Sequence, residues 1–139
     1  MENTRTRMSI DVAKKEKIIT ALLEKVCGYY RVILELARTE HEKFVARRPL
    51  TDILPILKKK KILLSCIDEV EEDMKSLRQE GAIGVNNEQI QSLVTMQRGY
   101  IQDLLLFDEK NQQFLQHYMQ DLKGKVDSLK KKPVDFVEG

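Results

Sequence analysis

The side chains that most often do chemistry in proteins are scattered along this sequence rather than clustered. His41 and His117 stand alone, and neither belongs to a Glu-x-x-His pair of the kind that builds di-iron sites in helical bundles. Cys27 and Cys66 lack Cys-x-x-Cys spacing and lie beside apolar positions, which predicts buried reduced thiols rather than a disulfide or a metal site. The sequence also lacks a Gly-rich phosphate loop, a nucleophile elbow and a zinc-ligand cluster. We therefore expect a protein that is not an enzyme and holds no metal or cofactor.

Polar residues that interrupt the apolar pattern carry more information. Glu40 and Lys60 each interrupt an apolar stripe about eight residues from the turn that separates two predicted helices, so at about 1.5 Å per residue they lie level with each other. A buried charge is tolerated when it is paired, and such a pair can fix helix register. We expect Glu40 to contact Lys60 or Lys61, and we add Asp108 and Asn111, which interrupt the third stripe, to the same structural polar layer. The alternative is that the Glu40 and Lys60 side chains both extend to water along a loose edge.

The elements that must position these residues are long helices. Apolar residues recur at alternating spacings of three and four through most of the chain, which is the pattern of a coiled-coil seam. The pattern predicts helices at about 10–48, 52–80 and 86–131, with flexible ends at 1–9 and 132–139. The expected fold is all-α, an antiparallel bundle of three long helices with coiled-coil-like packing.

Local signals refine the helix ends. Thr51 or Asp52 can cap the second helix, and Asn86 with Gln89 offers an N-cap and a capping-box-like partner for the third. Gly28 lies inside the first helical pattern, where glycine costs about 1 kcal/mol relative to alanine. We therefore expect either a kink or a closely packed bulky neighbour at Gly28.

Composition limits the classes of partner. The 24 Lys and Arg residues against 22 Asp and Glu residues leave a net charge of +2, too small to indicate a polyanion partner such as nucleic acid. No stretch approaches the roughly 20 apolar residues that span a bilayer, and the polar first residues do not resemble a signal peptide, so we expect a cytosolic protein with no membrane insertion. The basic run Lys58–Lys61 is followed by an acidic segment, which favours a solvated helix face over a nucleic-acid or lipid site.

The unequal lengths of the predicted helices suggest where a partner binds. The second helix has about 28 residues and the third about 45, so a third helix that runs back antiparallel reaches the hairpin turn near Phe114 and overhangs beyond it. The segment around the overhang carries a continuous apolar stripe: Phe114, Leu115, Tyr118, Met119, Leu122, Val126 and Leu129. An exposed stripe of this length usually marks a partner site. Two alternatives remain: the third helix breaks near Gly124 and folds back, or the stripe closes a homodimer.

Three short patterns occur in a distinctive order along the chain. A Glu-x-x-x-Leu-like element spans Glu40 to Phe44, with Phe in place of Leu, and a last pattern joins a mid-helix Asn to an apolar pair, at Asn111, Phe114 and Leu115. Between them, a Leu-x-x-Leu-x-x-x-Lys-x-Leu-Leu element comprises Leu54, Leu57, Lys61, Leu63 and Leu64. Over about residues 16–139 this order resembles the FlgN family of flagellar export chaperones. The ending with Phe136 and Gly139 is similar to the family's C-terminal aromatic and Gly, although the expected aromatic is Tyr.

The resemblance implies a cytosolic chaperone that binds the hook-filament junction proteins FlgK and FlgL and keeps them unassembled before type III export. It places capture of an amphipathic helical segment of the partner on the C-terminal helix and tail, so that Phe136 joins the apolar stripe. Export-gate or ATPase components are further expected partners, and release needs no covalent chemistry. The rival interpretation is a homo-oligomeric structural coiled-coil bundle, or an adaptor without a chaperone role. A third is a binder of acidic or lipid surfaces that uses Lys58–Lys61, recognised by steep salt dependence.

Overall fold

The chain folds into three long α-helices. The computed structural model describes residues 2–79 and 87–131, with side chains from 11 to 79 and from 87 to 130. The helices are α1 (Glu2–Val45), α2 (Leu50–Arg78) and α3 (Glu88–Lys131), and no strand occurs among the described residues. The predicted all-α bundle of three long helices is confirmed.

Helix α1 is the central element of the bundle. Both α2 and α3 pack against it, whereas α2 and α3 make no close backbone approach to each other within the described ranges. α2 runs antiparallel to α1, and α3 returns antiparallel to α2 and therefore parallel to α1. The parallel pairing is visible in two side-chain contacts, Asn87 to Glu16 at 3.0 Å and His41 to Asn111 at 3.1 Å, which join residues 71 and 70 positions apart.

The core follows the periodic apolar positions seen in the sequence. Residues three and four positions apart lie on one face of a helix, so each seam presents a continuous apolar stripe to its neighbour. The main cluster of buried residues comprises Ile19, Leu23, Val26, Ile33, Leu34 and Ala37 from α1, Ile67, Val70 and Met74 from α2, and Ile90 and Leu104 from α3. Because α1 contributes to both interfaces, its apolar face is the widest of the three.

The α1–α2 turn is closed by a helix C-cap that uses arginine in the left-handed conformation. Arg47 has φ 56°, its backbone N–H donates to Phe44 O at 3.0 Å, and the N–H of Arg48 donates to Lys43 O at 3.0 Å. These two bonds define a Schellman motif, whose left-handed residue is most often glycine. The prediction that Thr51 or Asp52 caps α2 is wrong. α2 begins at Leu50 after Pro49 with no side-chain cap, and Asp52 instead pairs with Arg48 at 2.9 Å.

Other helix ends also differ from the sequence prediction. α1 begins at Glu2, whereas the apolar pattern predicted its start at about residue 10. Asn87 caps α3, because its Oδ1 accepts the N–H of Ile90 at 3.1 Å; Asn86, the predicted cap, and the predicted tail at 132–139 lie outside the described residues. Of the two expectations at Gly28, the closely packed bulky neighbour is wrong, since a Cβ built there would meet nothing within 4 Å; α1 continues through this position.

Candidate functional site

The last part of α3 extends beyond the other two helices. The Tyr118 hydroxyl donates to Arg48 O at 2.9 Å, which places Tyr118 level with the α1–α2 turn. Every side chain described beyond it, 119–130, is exposed. The helix is continuous through Gly124 to Lys131, so a break or reversal near Gly124, one of the two alternatives, is wrong.

Four apolar side chains on this extension form the candidate binding surface, here called the overhang stripe. They are exposed by 62% at Met119, 59% at Leu122, 42% at Val126 and 66% at Leu129. Their spacings of three and four place them on one face, in continuation of the seam that is buried earlier in α3. Among the described residues, 2–79 and 87–131, no other helix covers this stripe.

The first part of the predicted stripe belongs to the bundle rather than to the overhang. Phe114 stacks on Phe44 of α1 with ring centroids 5.5 Å apart, and Tyr118 packs against the same ring at 5.8 Å. Leu115 is half-buried beside Phe44 and Leu57. The expectation that these three residues belong to the exposed stripe is wrong, because the aromatic rings pack on α1 and extend the bundle by one turn past the predicted level. Phe136 lies outside the described residues.

An open cavity lies where α1 ends and α3 leaves the bundle. We call it the aromatic cavity; its volume is about 680 Å³, within the range of small-ligand sites. It is lined by Phe44, Val45, Arg47, Phe114, His117, Tyr118 and Asp121. The Schellman turn directs the chain past this cavity, and the bond from Tyr118 to Arg48 O fixes one of its walls.

A polar layer crosses the bundle two to three turns before the overhang. Lys60 of α2 donates to Glu40 Oε1 of α1 at 3.1 Å and to Asp108 Oδ1 of α3 at 2.7 Å. The contact expected between Glu40 and Lys60 is therefore present, and Asp108 joins it. Lys61 does not take part, because its side chain is exposed, about 100° around the helix from Lys60. Lys58 and Lys59 are also exposed, so only Lys60 of the basic run turns inward.

A second set of hydrogen bonds ties the polar layer to α1. Asn111 Nδ2 donates to Ala37 O at 3.0 Å, and its Oδ1 lies 3.1 Å from His41 Nδ1. Since an amide oxygen only accepts, His41 holds its proton on Nδ1. The His41 ring also packs edge-on against Phe107 and Phe114, each at 5.8 Å. From the sequence we interpreted His41 as isolated. Its position next to Glu40 and level with Asn111 could have indicated that it belongs to the polar layer.

Burial sets the electrostatics of this layer. Burial raises the pKa of Glu40, and the nearby Lys60 ammonium offsets this effect only in part. Burial also lowers the pKa of Lys60, but its hydrogen bond to Asp108 and the charge of Glu40 outweigh burial, so the net shift is upward. Lys60 is thus held in its charged form between two acceptors. No buried side-chain nitrogen or oxygen among the described residues lacks a hydrogen-bond partner.

The cysteines and the possible metal ligands do not form a reactive site among the described residues. Burial raises the pKa of the Cys27 thiol, which donates to Leu93 O at 3.6 Å, and a raised pKa disfavours the nucleophilic thiolate. Cys66 is half-buried, and both cysteines are free. Within 2–79 and 87–131, no group of three His, Cys, Asp or Glu residues is arranged to hold a metal ion.

The helices do not have the character of membrane spans. None of those described combines the length and apolar content that crossing a bilayer requires. Comparison of the chain with family models, with curated proteins and with solved structures gave no match.

Proposed function

We propose that this chain is a helix-binding protein whose overhang stripe captures an amphipathic helix of a partner. The observation that carries the proposal is the exposure of Met119, Leu122, Val126 and Leu129 on a helix that continues past the rest of the bundle. Exposed apolar residues at helical spacing are the usual receptor for an apolar helix face. Methionine adds a flexible, polarisable contact that adapts to different partners.

The more specific form of the proposal is a cytosolic chaperone of the FlgN type. In this form the partner segment belongs to FlgK or FlgL, and the chaperone covers it until export. The support is the family-like order of motifs, together with the position of the stripe on the C-terminal helix, where the resemblance expects capture. Binding and release would then depend on burial of apolar surface alone, which needs no catalytic group.

Sedimentation velocity tests the proposal directly. The chain is run alone and with a synthetic amphipathic helix from a candidate junction protein, and we expect a monomer that forms a one-to-one complex. A stable dimer that ignores the peptide would instead support the homo-oligomeric bundle, with the stripe of one copy covered by another.

A matched pair of variants locates the surface. Leu122 and Leu106 are both 59% exposed on α3. Leu106 belongs to the part of α3 that packs on α1, whereas Leu122 belongs to the overhang. We expect Leu122→Asp to weaken peptide binding at least tenfold, about 1.4 kcal/mol or more, and Leu106→Asp to leave it unchanged. Both variants should keep wild-type helicity and melting temperature. Unfolding by Leu122→Asp would mean that the stripe is core, and equal binding losses would mean that the overhang is not the site.

A further inference from the structure

The aromatic cavity lies at the base of the overhang stripe and is continuous with it. Tyr118 forms one wall of the cavity, and Leu122, four residues further along α3, begins the next turn on the same face. A helix that covers the stripe and extends toward the bundle therefore passes over the cavity mouth. Val45, on the opposite wall, is 59% exposed, so the cavity is open to such a helix.

Contacts within the chain fix the walls of the cavity. Phe44 is buried and stacks on Phe114, and Tyr118 is held by its hydrogen bond to Arg48 O. Aromatic walls favour an aromatic guest, because rings gain edge-to-face and stacked contacts beyond the burial of area. A preformed site also avoids the entropic cost of ordering its side chains on binding.

The charges around the cavity indicate which kind of residue lies beside the bound aromatic side chain. Arg47 lines it, and its side chain forms no hydrogen bond or ion pair with any described residue; the single carboxylate in the wall is Asp121. Along the overhang, three described lysines outnumber two aspartates: Lys123, Lys125 and Lys130 against Asp121 and Asp127. The surface is therefore complementary to a helix with acidic flanks.

We propose that the aromatic cavity receives an aromatic side chain of the bound helix, and that Arg47 pairs with an acidic residue beside it. This inference rests on the proposed function, because the occupant is the same partner helix that covers the overhang stripe. It specifies the partner further: an amphipathic helix whose apolar stripe ends in an aromatic residue with Asp or Glu next to it. An aromatic anchor in a pocket, surrounded by weaker contacts, is a common source of interface affinity.

Tryptophan fluorescence tests the inference because this chain contains no Trp. The probes are two synthetic helical peptides with the same leucine stripe and glutamate flanks, one ending the stripe in Trp and the other in Ala. With wild-type protein we expect a blue shift of the Trp emission and affinity about tenfold higher than for the Ala peptide. Val45→Phe, which fills the mouth of the cavity from an exposed position, should abolish both the blue shift and the preference.

The charge is tested separately with Arg47→Gly. Glycine suits the left-handed backbone at this position, so the variant removes the cation while the turn is retained. We expect a loss of about threefold for the glutamate-flanked peptide and none for a glutamine-flanked version, with the exposed Lys59→Ala as the control for general charge. Circular dichroism confirms that each variant is folded.

The outcomes separate the two proposals. Equal affinity for the Trp and Ala peptides, with binding still lost in Leu122→Asp, overturns the cavity inference and leaves the proposed function standing. Binding of the Trp peptide that persists in Leu122→Asp supports the cavity and contradicts the stripe. Failure of both peptides to bind wild-type protein overturns both.

Discussion

Replacement of Lys60 by methionine tests the energetic role of the polar layer. Lys60→Met keeps most of the side-chain volume but removes the cation between Glu40, whose side chain is 3% exposed, and Asp108, at 40%. Breaking a buried ion pair by removing one partner costs about 3–5 kcal/mol. The half-exposed Asp108 adds little, because water screens it. We therefore expect Lys60→Met to lower the free energy of unfolding by about 3 kcal/mol near neutral pH, mainly through the unpaired Glu40 carboxylate.

The pH dependence of this loss identifies its cause. Without Lys60 the pKa of Glu40 rises further above its value in the unfolded chain, about 4.3. The folded variant then binds a proton that the unfolded chain has released, so its free energy of unfolding falls as pH rises from about 4.3 through the raised folded pKa. The deficit relative to wild type should therefore be larger at about pH 7 than at about pH 5. In wild type, the raised pKa of Lys60 contributes stability that is present at neutral pH and is lost as the pH rises through that raised pKa.

Urea denaturation monitored by circular dichroism measures these differences. The control is Lys59→Met, which makes the same change at the exposed neighbouring position. In thermal melts of the same variants we expect a melting temperature roughly 10 °C below wild type for Lys60→Met and little change for the control. Addition of Glu40→Gln should restore part of the loss and give a positive coupling energy in the double-mutant cycle. Equal effects at positions 59 and 60, or a deficit that does not vary with pH, would refute the assigned role of the ion pair.

Two further predictions concern stability. Gly28→Ala should stabilise the chain by about 1 kcal/mol in urea denaturation, because the added Cβ meets nothing within 4 Å and alanine favours helix; a loss of stability would contradict the open space around this position. Asn111→Ala should destabilise by about 1–3 kcal/mol, because Ala37 O and the His41 ring lose their partner. NMR of the His41 ring should report a changed Nδ1 chemical shift in the Asn111 variant, and an unchanged spectrum would contradict the assigned hydrogen bond.

The sequence predicted the features that depend on helical periodicity. The apolar spacings gave the three helices, and counting from the turn placed Glu40 opposite Lys60 because both helices rise equally per residue. The choice between Lys60 and Lys61 depends on a rotation of about 100°, which a count along the axis does not determine. The Asn87 cap was likewise not predicted from spacing, since a single hydrogen bond to the N–H of Ile90 defines it.

The limits of the overhang were harder to predict. Its existence followed from helix lengths, but its starting point depends on ring stacking between Phe44 and Phe114, which spacing along either helix does not reveal. The left-handed Arg47 carried no signal either, because glycine is the usual residue in that conformation. Contacts between distant segments thus set the boundary between core and candidate site.

The parallel pairing of α1 and α3 gives the polar layer a role in setting the length of the overhang. Contacts along this interface join residues that lie 70 to 74 positions apart, as for Arg48 with Tyr118 and Ala37 with Asn111. A slip of α3 by one heptad would realign its apolar seam on α1 almost as well, and would change the projecting length by about 10 Å. The same slip would carry Asn111 and Asp108 away from their partners and leave buried polar groups unsatisfied. The polar layer therefore fixes the register of α3 along α1, and with it the length of α3 that projects beyond the bundle.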